Sequence, residues 1–245
     1  MRTIMMTVFS LFFFINTFGQ TTDNRLEIVH LTGDFYVYTT FNLYKGDRVP
    51  ANGMYLVTKD GVVMFDSPWD TTQFQPLLDS IKRRHNKDVV LCIATDFHSD
   101  RTGGLEYYRK QGIKTYTTKQ IDELSRLQGM KRAEFLMDKD TTFTIGSYTF
   151  QTYFPGQGHT AVNIVIWFEK EKILYGGCLI KSFEDDDLGY LGDANVNDYA
   201  ATIRNVQEKC PLPKFVIVGH GDWTNTKSLK HTLQMAQKIK PKKSR

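Results

Sequence analysis

The chain has 245 residues, of which 41% are hydrophobic and 24% are charged, and its formal net charge is +4. These values are ordinary for one globular α/β domain with a sizeable core, and no repeat or low-complexity linker divides the chain. The mild charge excludes nucleic-acid binding as a leading interpretation, because the basic residues are spread out except in a short C-terminal tail. We interpret that tail, residues 238–245, as a solvated terminus.

The first 19 residues predict a signal peptide. Arg2 precedes an apolar stretch over residues 4–18, which is too short for a comfortable membrane span, and small and polar residues follow from Gly19. We expect cleavage near Gly19 or Gln20 and export to the periplasm. The expected mature protein is a single domain over residues 20–245, monomeric and without stable membrane association. A retained anchor is the alternative.

Strand and helix signals alternate along the rest of the chain. Strands are predicted over residues 27–31, 34–41, 55–57, 62–65, 88–95, 142–145, 148–153, 163–168, 172–175 and 214–218. Helices are predicted over residues 72–84, 104–111, 119–127, 196–208 and 226–239. The polar residues 42–52 predict a mobile hairpin loop. Two sheets packed together with helices outside explain this order, and ligand sites in such layers collect at strand ends.

Metal-binding side chains follow four of the apolar runs. They are Asp96, His98 and Asp100 in one island, His159 in Gly-His-Thr, Cys178 after two glycines, and His220 between two glycines. Imidazole, carboxylate and thiolate together suit zinc. Alternate residues of an extended segment point the same way, so the first island can aim several ligands at neighbouring ions. The sequence therefore predicts a site for one or two zinc ions.

The chain has three cysteines, an odd number for an exported protein. Cys92 lies inside an apolar run and is most simply a buried core residue. Cys210 closes a predicted helix, and a disulfide between Cys92 and Cys210 is left open. Cys178 occupies an unusual place for a packing residue, so we assign it to the metal.

The islands belong to longer motifs. These are Phe65-Asp66-Ser67-Pro68-Trp69, Asp96-Phe97-His98-Ser99-Asp100-Arg101-Thr102-Gly103-Gly104, Gly158-His159-Thr160, Gly176-Gly177-Cys178-Leu179-Ile180-Lys181, Leu191-Gly192-Asp193-Ala194 and Gly219-His220-Gly221. In this order they resemble a class B metallo-β-lactamase of the cysteine-containing subclass, over nearly all of the mature chain. The resemblance implies an α/β fold, a four-layer αβ/βα sandwich with the metals between its halves. It also implies hydrolysis of the β-lactam amide of penicillins, cephalosporins and carbapenems.

The resemblance implies roles for ten residues. The first zinc would be bound by His98 and His159, with Asp96 where the family usually has a third histidine. The second would be bound by Asp100, Cys178 and His220, and Asp100 would also orient the attacking water. Outside the ligands, Lys181 would bind the substrate carboxylate, Tyr190 would contact the substrate where many members carry an Asn, and Asp66 and Arg101 would support the site. The loop over residues 42–52 would cover the substrate.

Asp96 departs from the family pattern. A carboxylate cancels one unit of the zinc charge, so the pKa of a bound water should rise above the roughly 7 typical of catalytic zinc. The aspartate is also shorter than a histidine. We therefore predict a weakened first site and a stronger second one. A one-zinc enzyme restricted to carbapenems is the alternative within the family.

Two other interpretations belong to different functional classes. The first is a hydrolase of the same fold that acts on another amide, a lactone or a phosphodiester. The second is an exported zinc-binding protein without activity, in which Asp96 marks the loss of catalysis. An assay of β-lactam hydrolysis distinguishes a lactamase, which is active in it, from both of these interpretations.

Overall fold

Two mixed β-sheets pack face to face, with helices on their outer faces. The computed structural model describes residues 25–239. The predicted signal peptide and the end of the basic tail, residues 240–245, lie outside the described residues. Within the described part, no helix combines the length and the apolar character that crossing a bilayer requires.

The first sheet has seven strands in chain order, antiparallel from β1 to β4 and parallel from β4 to β7. They are β1 Leu26–Thr32, β2 Phe35–Tyr44, β3 Asp47–Thr58, β4 Gly61–Phe65, β5 Val89–Ile93, β6 Lys114–Thr118 and β7 Phe135–Met137. The second sheet has the order β12-β11-β10-β9-β8, in which β11 and β12 are parallel and the other pairs antiparallel. Its strands are β8 Thr142–Ile145, β9 Tyr148–Tyr153, β10 Val165–Phe168, β11 Ile173–Gly177 and β12 Phe215–Val218.

Between residues 25 and 239, six α-helices connect or cover these strands. They are α1 Phe74–His85, α2 Ser99–Thr102, α3 Leu105–Lys110, α4 Lys119–Leu127, α5 Tyr199–Lys209 and α6 Ser228–Lys238. The first of them buries Phe74, Leu77 and Ile81, which recur at helical spacing, against the first sheet. It ends where Asn86 takes a left-handed conformation with φ 51°, and the Asn86 N–H bonds back to the carbonyl of Lys82.

The core lies in three layers because both faces of each sheet are covered. On β4, Val63 and Phe65 face the second sheet, whereas Val62 and Met64 face α1 and α3. Strands buried on both faces become continuous apolar runs, which is how β4 and β10 read in the sequence. The helices α5 and α6 cover the second sheet in the same way. This arrangement is the four-layer αβ/βα sandwich that the sequence predicts.

The hairpin predicted over residues 42–52 is confirmed, but these residues form paired strands and not a loop. Both strands continue through it, with Tyr44 paired to Asp47 across a turn in which Lys45 and Gly46 have φ of 53° and 93°. Positive φ at both central residues is typical of tight hairpin turns. The segment forms an exposed arm that buries few apolar side chains, so it lacks the hydrophobic pattern of a strand. Its predicted mobility stays a prediction.

Strands β6 and β7 and helix α2 were not predicted from the sequence. Strand β6 consists of Lys, Thr and Tyr, and β7 and α2 have only three and four residues. Such short or polar segments give no periodic signal. Strands β6 and β7 pair with neighbouring strands of the first sheet, and α2 is closed by backbone bonds to the carbonyls of His98 and Ser99.

The three cysteines are free and buried. Cys92 packs on the outer side of the first sheet and Cys210 in the cluster under α5 and α6, so the disulfide that was left open between them does not form. Burial raises the pKa of Cys92 well above its usual value and that of Cys210, next to Lys209, to about 12.

These thiols should be titratable only after unfolding. In denaturant without reductant, a chromogenic aromatic disulfide should detect three thiols per chain, and the Cys178→Ser variant should give two. The native protein at pH 8 should react slowly, because buried thiols of raised pKa carry little thiolate. A single reactive thiol in denaturant would contradict the absence of a Cys92–Cys210 bond.

Candidate metal centre

The predicted ligands meet where strands of both sheets end. Asp96 lies beyond the end of β5, Cys178 directly follows β11, and His220 lies two residues after β12. His159 comes from the connection between β9 and β10. The carboxyl ends of neighbouring parallel strands lie at the same edge of a sheet, so β11 and β12 place Cys178 and His220 side by side.

A glycine makes that approach close. The Gly219 N–H donates to the carbonyl of Gly177 at 2.7 Å. A Cβ on Gly219 would lie 2.7 Å from the backbone nitrogen of Cys178, a distance that requires the backbone to shift. Any side chain at this position would therefore push His220 away from Cys178.

Three ligand atoms have the spacing of a metal site. The Cys178 Sγ lies 3.3 Å from Asp100 Oδ2 and 3.5 Å from His220 Nε2, and this nitrogen lies 3.0 Å from the same Asp100 oxygen. Ligands at about 2.0–2.3 Å from one tetrahedral zinc ion are separated by roughly 3.3–3.6 Å, so both Cys178 separations match and the His220–Asp100 separation is slightly shorter. The residues present therefore fit a zinc-sized cation.

The other three candidates adjoin this trio. His98 Nδ1 lies 3.2 Å from His159 Nε2 and 3.7 Å from Asp96 Oδ1. Candidate ligand atoms of Asp96, His159 and Cys178 also lie within 4.8 Å of one another. The structure thus brings all six predicted ligands into one cluster, and which of them bind an ion stays a prediction.

Hydrogen bonds orient two of the imidazoles. His220 donates from Nδ1 to the carbonyl of Pro50 at 2.8 Å, which leaves Nε2 directed at Cys178 and Asp100. His98 Nε2 lies 2.8 Å from the carboxylate of Asp193, so Nδ1 is left as the ligand atom. Fixing the tautomer from outside in this way is usual for histidines that bind metals.

The two carboxylates of the first island differ in their pKa. Burial disfavours charge on both, but Arg101 and the hydrogen bond to His220 hold the pKa of Asp100 well below its usual value. Burial and the charge of Asp100 raise the pKa of Asp96, and the nearby His98 opposes this shift. Arg101 and His220 therefore favour the charged form of Asp100.

Two further ligands are electrically neutral before an ion binds. Burial, with the positive charge of Lys181, holds the pKa of His159 well below its usual value, so its ring is in the form that binds metals. Burial raises the pKa of the Cys178 thiol, which Arg101 only partly offsets. A coordinating thiol loses its proton to the field of the cation, so this cysteine gains its charge on binding.

Arg101 lies beneath the ligands and is 1% exposed. Its Nε donates to Asp100 Oδ2 at 3.0 Å and to Cys178 Sγ at 3.1 Å. Its Nη1 donates to the carbonyl of Asn52 at 2.7 Å, and its Nη2 to that of Gly219 at 3.0 Å. Its Nη2 also lies 3.3 Å from His220 Nε2. One guanidinium thus contacts three predicted ligands and joins the backbone of the first sheet to the residue after β12, a position consistent with its predicted supporting role.

Asp66 contacts the other side of the guanidinium, with 3.3 Å between Oδ2 and Nη1. The same carboxylate accepts bonds from the Thr95 N–H at 2.7 Å and from the Tyr175 hydroxyl at 2.6 Å. Asp66 has a φ of 64°, a strained backbone conformation for a residue with a side chain. The sequence predicts support from this residue, and the structure places it in contact with Arg101 and not with the ligands.

The extended geometry predicted for the first island is wrong at Asp100. His98 is extended, with ψ 155°, but helix α2 begins at Ser99 and Asp100 lies in its first turn. The Thr102 and Arg101 N–H groups donate to the carbonyl of His98, so a helical turn replaces the alternating segment. That turn directs Asp100 towards Cys178 while His98 faces His159.

A cavity of about 380 Å³ opens over the cluster. Trp69, Tyr44 and Val49 line one side, and Lys181 and Tyr190 lie on its wall. Lys181 is 8% exposed, and its ammonium has no hydrogen bond or ion pair with residues 25–239. Tyr190 is 52% exposed, with its ring 5.9 Å from that of His98. Both predicted substrate contacts therefore reach the same cavity as the ligands.

Comparison with known proteins decides the family. Residues 46–232 match the family model described as the metallo-β-lactamase superfamily. The chain belongs to this superfamily. It is 44% identical over 228 residues to metallo-β-lactamase type 2 of Elizabethkingia meningoseptica, covering 93% of this chain and 91% of that protein. It is 40% identical over 208 residues to metallo-β-lactamase IND-1 of Chryseobacterium indologenes, covering 85% and 87%.

Solved structures agree with these relatives. The crystal structure of metallo-β-lactamase IND-7 is similar with a TM-score of 0.84 and 40% identity, over 89% of this chain and 100% of that chain. A metallo-β-lactamase from Pontibacter korlensis gives the same TM-score at 33% identity, over 87% and 100%. The fold and the class B resemblance predicted from the sequence are confirmed, and the buried Cys178 fits the cysteine-containing subclass.

Several residues of this metallo-β-lactamase site were not given a role from the sequence. Asp193 belongs to the Leu-Gly-Asp-Ala motif, which was recognised without its contact to His98. Asn52 and Tyr175, which hold Arg101 and Asp66, lie in strands and carry no local signal. Only the pairing of distant segments reveals them.

Removing the buried guanidinium of Arg101 should destabilise the fold. Arg101→Ala leaves the carboxylates of Asp66 and Asp100 without their partner, so we expect a loss of about 3–5 kcal/mol in the free energy of unfolding. Arg101→Lys keeps the charge but loses the forked geometry, and should lose less. Urea unfolding of metal-free protein at pH 7 measures both.

The exposed pair of Arg126 with Glu123 supplies the control, and Arg126→Ala should leave the unfolding midpoint unchanged. Equal midpoints for Arg101→Ala and the unaltered protein would contradict the supporting role.

Proposed function

We propose that this protein is an exported zinc-dependent β-lactamase that opens the amide ring of penicillins, cephalosporins and carbapenems. The observation that carries the proposal is a cluster of six candidate ligands, four of which line one cavity together with a nearly buried ammonium that has no partner among residues 25–239. The motifs and the relatives named metallo-β-lactamases support the same reaction. A zinc ion bound there would supply Lewis-acid polarisation of the lactam carbonyl and positive charge for the departing nitrogen.

Lys181 binds the substrate in this proposal. Penicillins, cephalosporins and carbapenems all carry a carboxylate on the ring fused to the lactam. Lys181 lines the cavity, and its ammonium has no competing partner in the part of the chain that the structure describes, so its charge is available for this carboxylate. Tyr190, on the same wall, contacts the substrate above His98.

Asp100 is the catalytic residue of the proposal. Its carboxylate stays charged because Arg101 lies against it, so it accepts a hydrogen bond from the attacking water and orients the water towards the carbonyl. The surrounding Trp69 and Val49 exclude bulk water from this side of the cavity, which strengthens the local electrostatic interactions.

Asp96 weakens the first of two zinc sites in this proposal. Its side chain is buried, and Oδ1 already accepts the His98 backbone N–H at 2.8 Å. One oxygen is thus partly committed to the loop, and the charge of the carboxylate lowers the Lewis acidity of the ion that it contacts. The second site keeps its thiolate, carboxylate and imidazole and therefore binds more tightly.

We further propose a periplasmic location, a monomer and no stable membrane association. The sequence of residues 1–19, with its single Arg2 and short apolar stretch, supports the location and the absence of membrane association.

Hydrolysis assays with metal removal test the function. The purified protein should hydrolyse nitrocefin, benzylpenicillin and imipenem, lose activity in EDTA and regain it with zinc. Cys178→Ser should lose more than the roughly 10- to 100-fold that removal of an outer hydrogen-bonding partner costs. Cys210→Ala, which removes a buried thiol from the hydrophobic core under α5 and α6, should keep the activity.

The rival interpretations predict other outcomes of the same assays. Zinc binding without turnover of any β-lactam indicates a protein that has lost catalysis. Turnover of a lactone or phosphodiester but of no β-lactam indicates a changed substrate. Turnover of imipenem alone, with one zinc per chain, indicates the carbapenem-restricted enzyme.

Replacing the unusual aspartate tests the weakened site. Asp96→His should raise the zinc content after dialysis from about one to two ions per chain and increase kcat for nitrocefin, because a neutral imidazole leaves the ion its full charge. Asp96→Asn, which removes the charge without supplying an imidazole, is the matched control and separates charge from reach. If Asp96→His gains neither zinc nor rate, the account of Asp96 is wrong.

A further inference from the structure

We propose that Asp185 and Asp187 make the enzyme select β-lactams that carry a positive charge beside the ring carboxylate. The inference rests on the proposed function and specifies its substrate class. It concerns cephalosporins and carbapenems, whose ring carbon next to the carboxylate bears a variable substituent.

The two carboxylates belong to an acidic run, Glu184-Asp185-Asp186-Asp187. Only Asp185 and Asp187 line the cavity, whereas Glu184 and Asp186 are exposed outside its wall. Asp185 Oδ2 accepts the Ser182 N–H at 2.8 Å, and Asp187 Oδ1 accepts the N–H of Gly189 at 2.7 Å. Backbone groups therefore hold both carboxylates in place. Neither carboxylate forms an ion pair with a basic side chain of residues 25–239.

A nearly buried ammonium at this end of the cavity points independently to a charged ligand. Lys181 is 8% exposed, and its ammonium lines the cavity without a partner among the described residues. Its Nζ lies 4.0 Å from the point where a Cβ on Gly189 would be, next to the turn that Asp187 closes. A cationic anchor and two carboxylates thus share one end of the cavity.

The ligand that satisfies this arrangement has both charges close together. With its carboxylate on Lys181, a cephalosporin or carbapenem places the neighbouring substituent at the acidic rim. Asp185 and Asp187, which form this acidic rim, then attract a cationic substituent and repel an anionic one. Because the rim is partly open to water, each carboxylate should change the preference by about two- to five-fold, as expected for a screened ion pair.

A matched pair of cephalosporins tests the inference. Cephaloridine and cephalothin share one acyl side chain and differ in a pyridinium or a neutral acetoxy group beside the carboxylate. The readout is the ratio of their kcat/KM values, compared between variants so that leaving-group chemistry cancels. Asp185→Asn and Asp187→Asn should each lower the ratio two- to five-fold, mainly through KM for cephaloridine, and the double variant should lower it further.

Controls separate a rim effect from general damage. Asp186→Asn and Glu184→Gln remove the same charge from the same run outside the wall, and should leave the ratio unchanged. Benzylpenicillin, which has no substituent of this kind, should be hydrolysed equally by all variants. Salt at about 1 M, where the screening length is about 3 Å, should lower the ratio for the unaltered enzyme and not for the double variant.

Two results overturn the inference while leaving the proposed function intact. The first is an unchanged ratio in the double variant that still hydrolyses both cephalosporins. The second is an equal loss on benzylpenicillin, which would assign the two aspartates a structural role. Absence of hydrolysis of any β-lactam would instead overturn the proposed function and this inference with it.

Discussion

The site depends on the hydrogen bonds of one buried guanidinium, that of Arg101. Arg101 bonds to the carbonyl of Asn52 in the first sheet and to that of Gly219 beyond the second, so it fixes the distance between the two halves. From the same position it contacts Asp100 and Cys178. A planar group with five donors can make all of these contacts at once, which an ammonium cannot. The geometry of the ligands is therefore a consequence of the packing of the sheets.

The charges around Arg101 explain why the cluster suits a cation. Asp96, Asp100 and the thiol of Cys178 converge in a buried place where the guanidinium is the nearest permanent positive charge. Like charges in a medium of low polarity raise one another's pKa, as they do for Asp96. A divalent ion relieves this repulsion, whereas protonation of the acids would do so only by removing the donors.

The sequence predicts the parts of this protein in which a local pattern and a physical role coincide. Buried strands that end in Gly-flanked histidines predict both the sheets and the approximate place of the ligands, and the Gly-Gly-Cys-x-x-Lys motif predicts Cys178 with Lys181. The hairpin around Lys45 and Gly46 was predicted, but the continuation of both strands up to its turn was not, because this exposed arm buries few apolar side chains. The turn that redirects Asp100, and the bonds of Asn52 and Tyr175, depend on segments that are distant in the chain. No periodicity within a segment records such contacts.

The six candidate ligands divide equally between the halves: Asp96, His98 and Asp100 come from the first, and His159, Cys178 and His220 from the second. A cation held across this seam binds only the assembled domain, so it opposes unfolding by mass action, by about 4 kcal/mol at a concentration a thousandfold above its dissociation constant. The stability of the folded chain and its catalytic rate would then depend on the same ion. A substitution that loosens the seam is consequently exposed to selection twice, once through rate and once through the lifetime of the molecule.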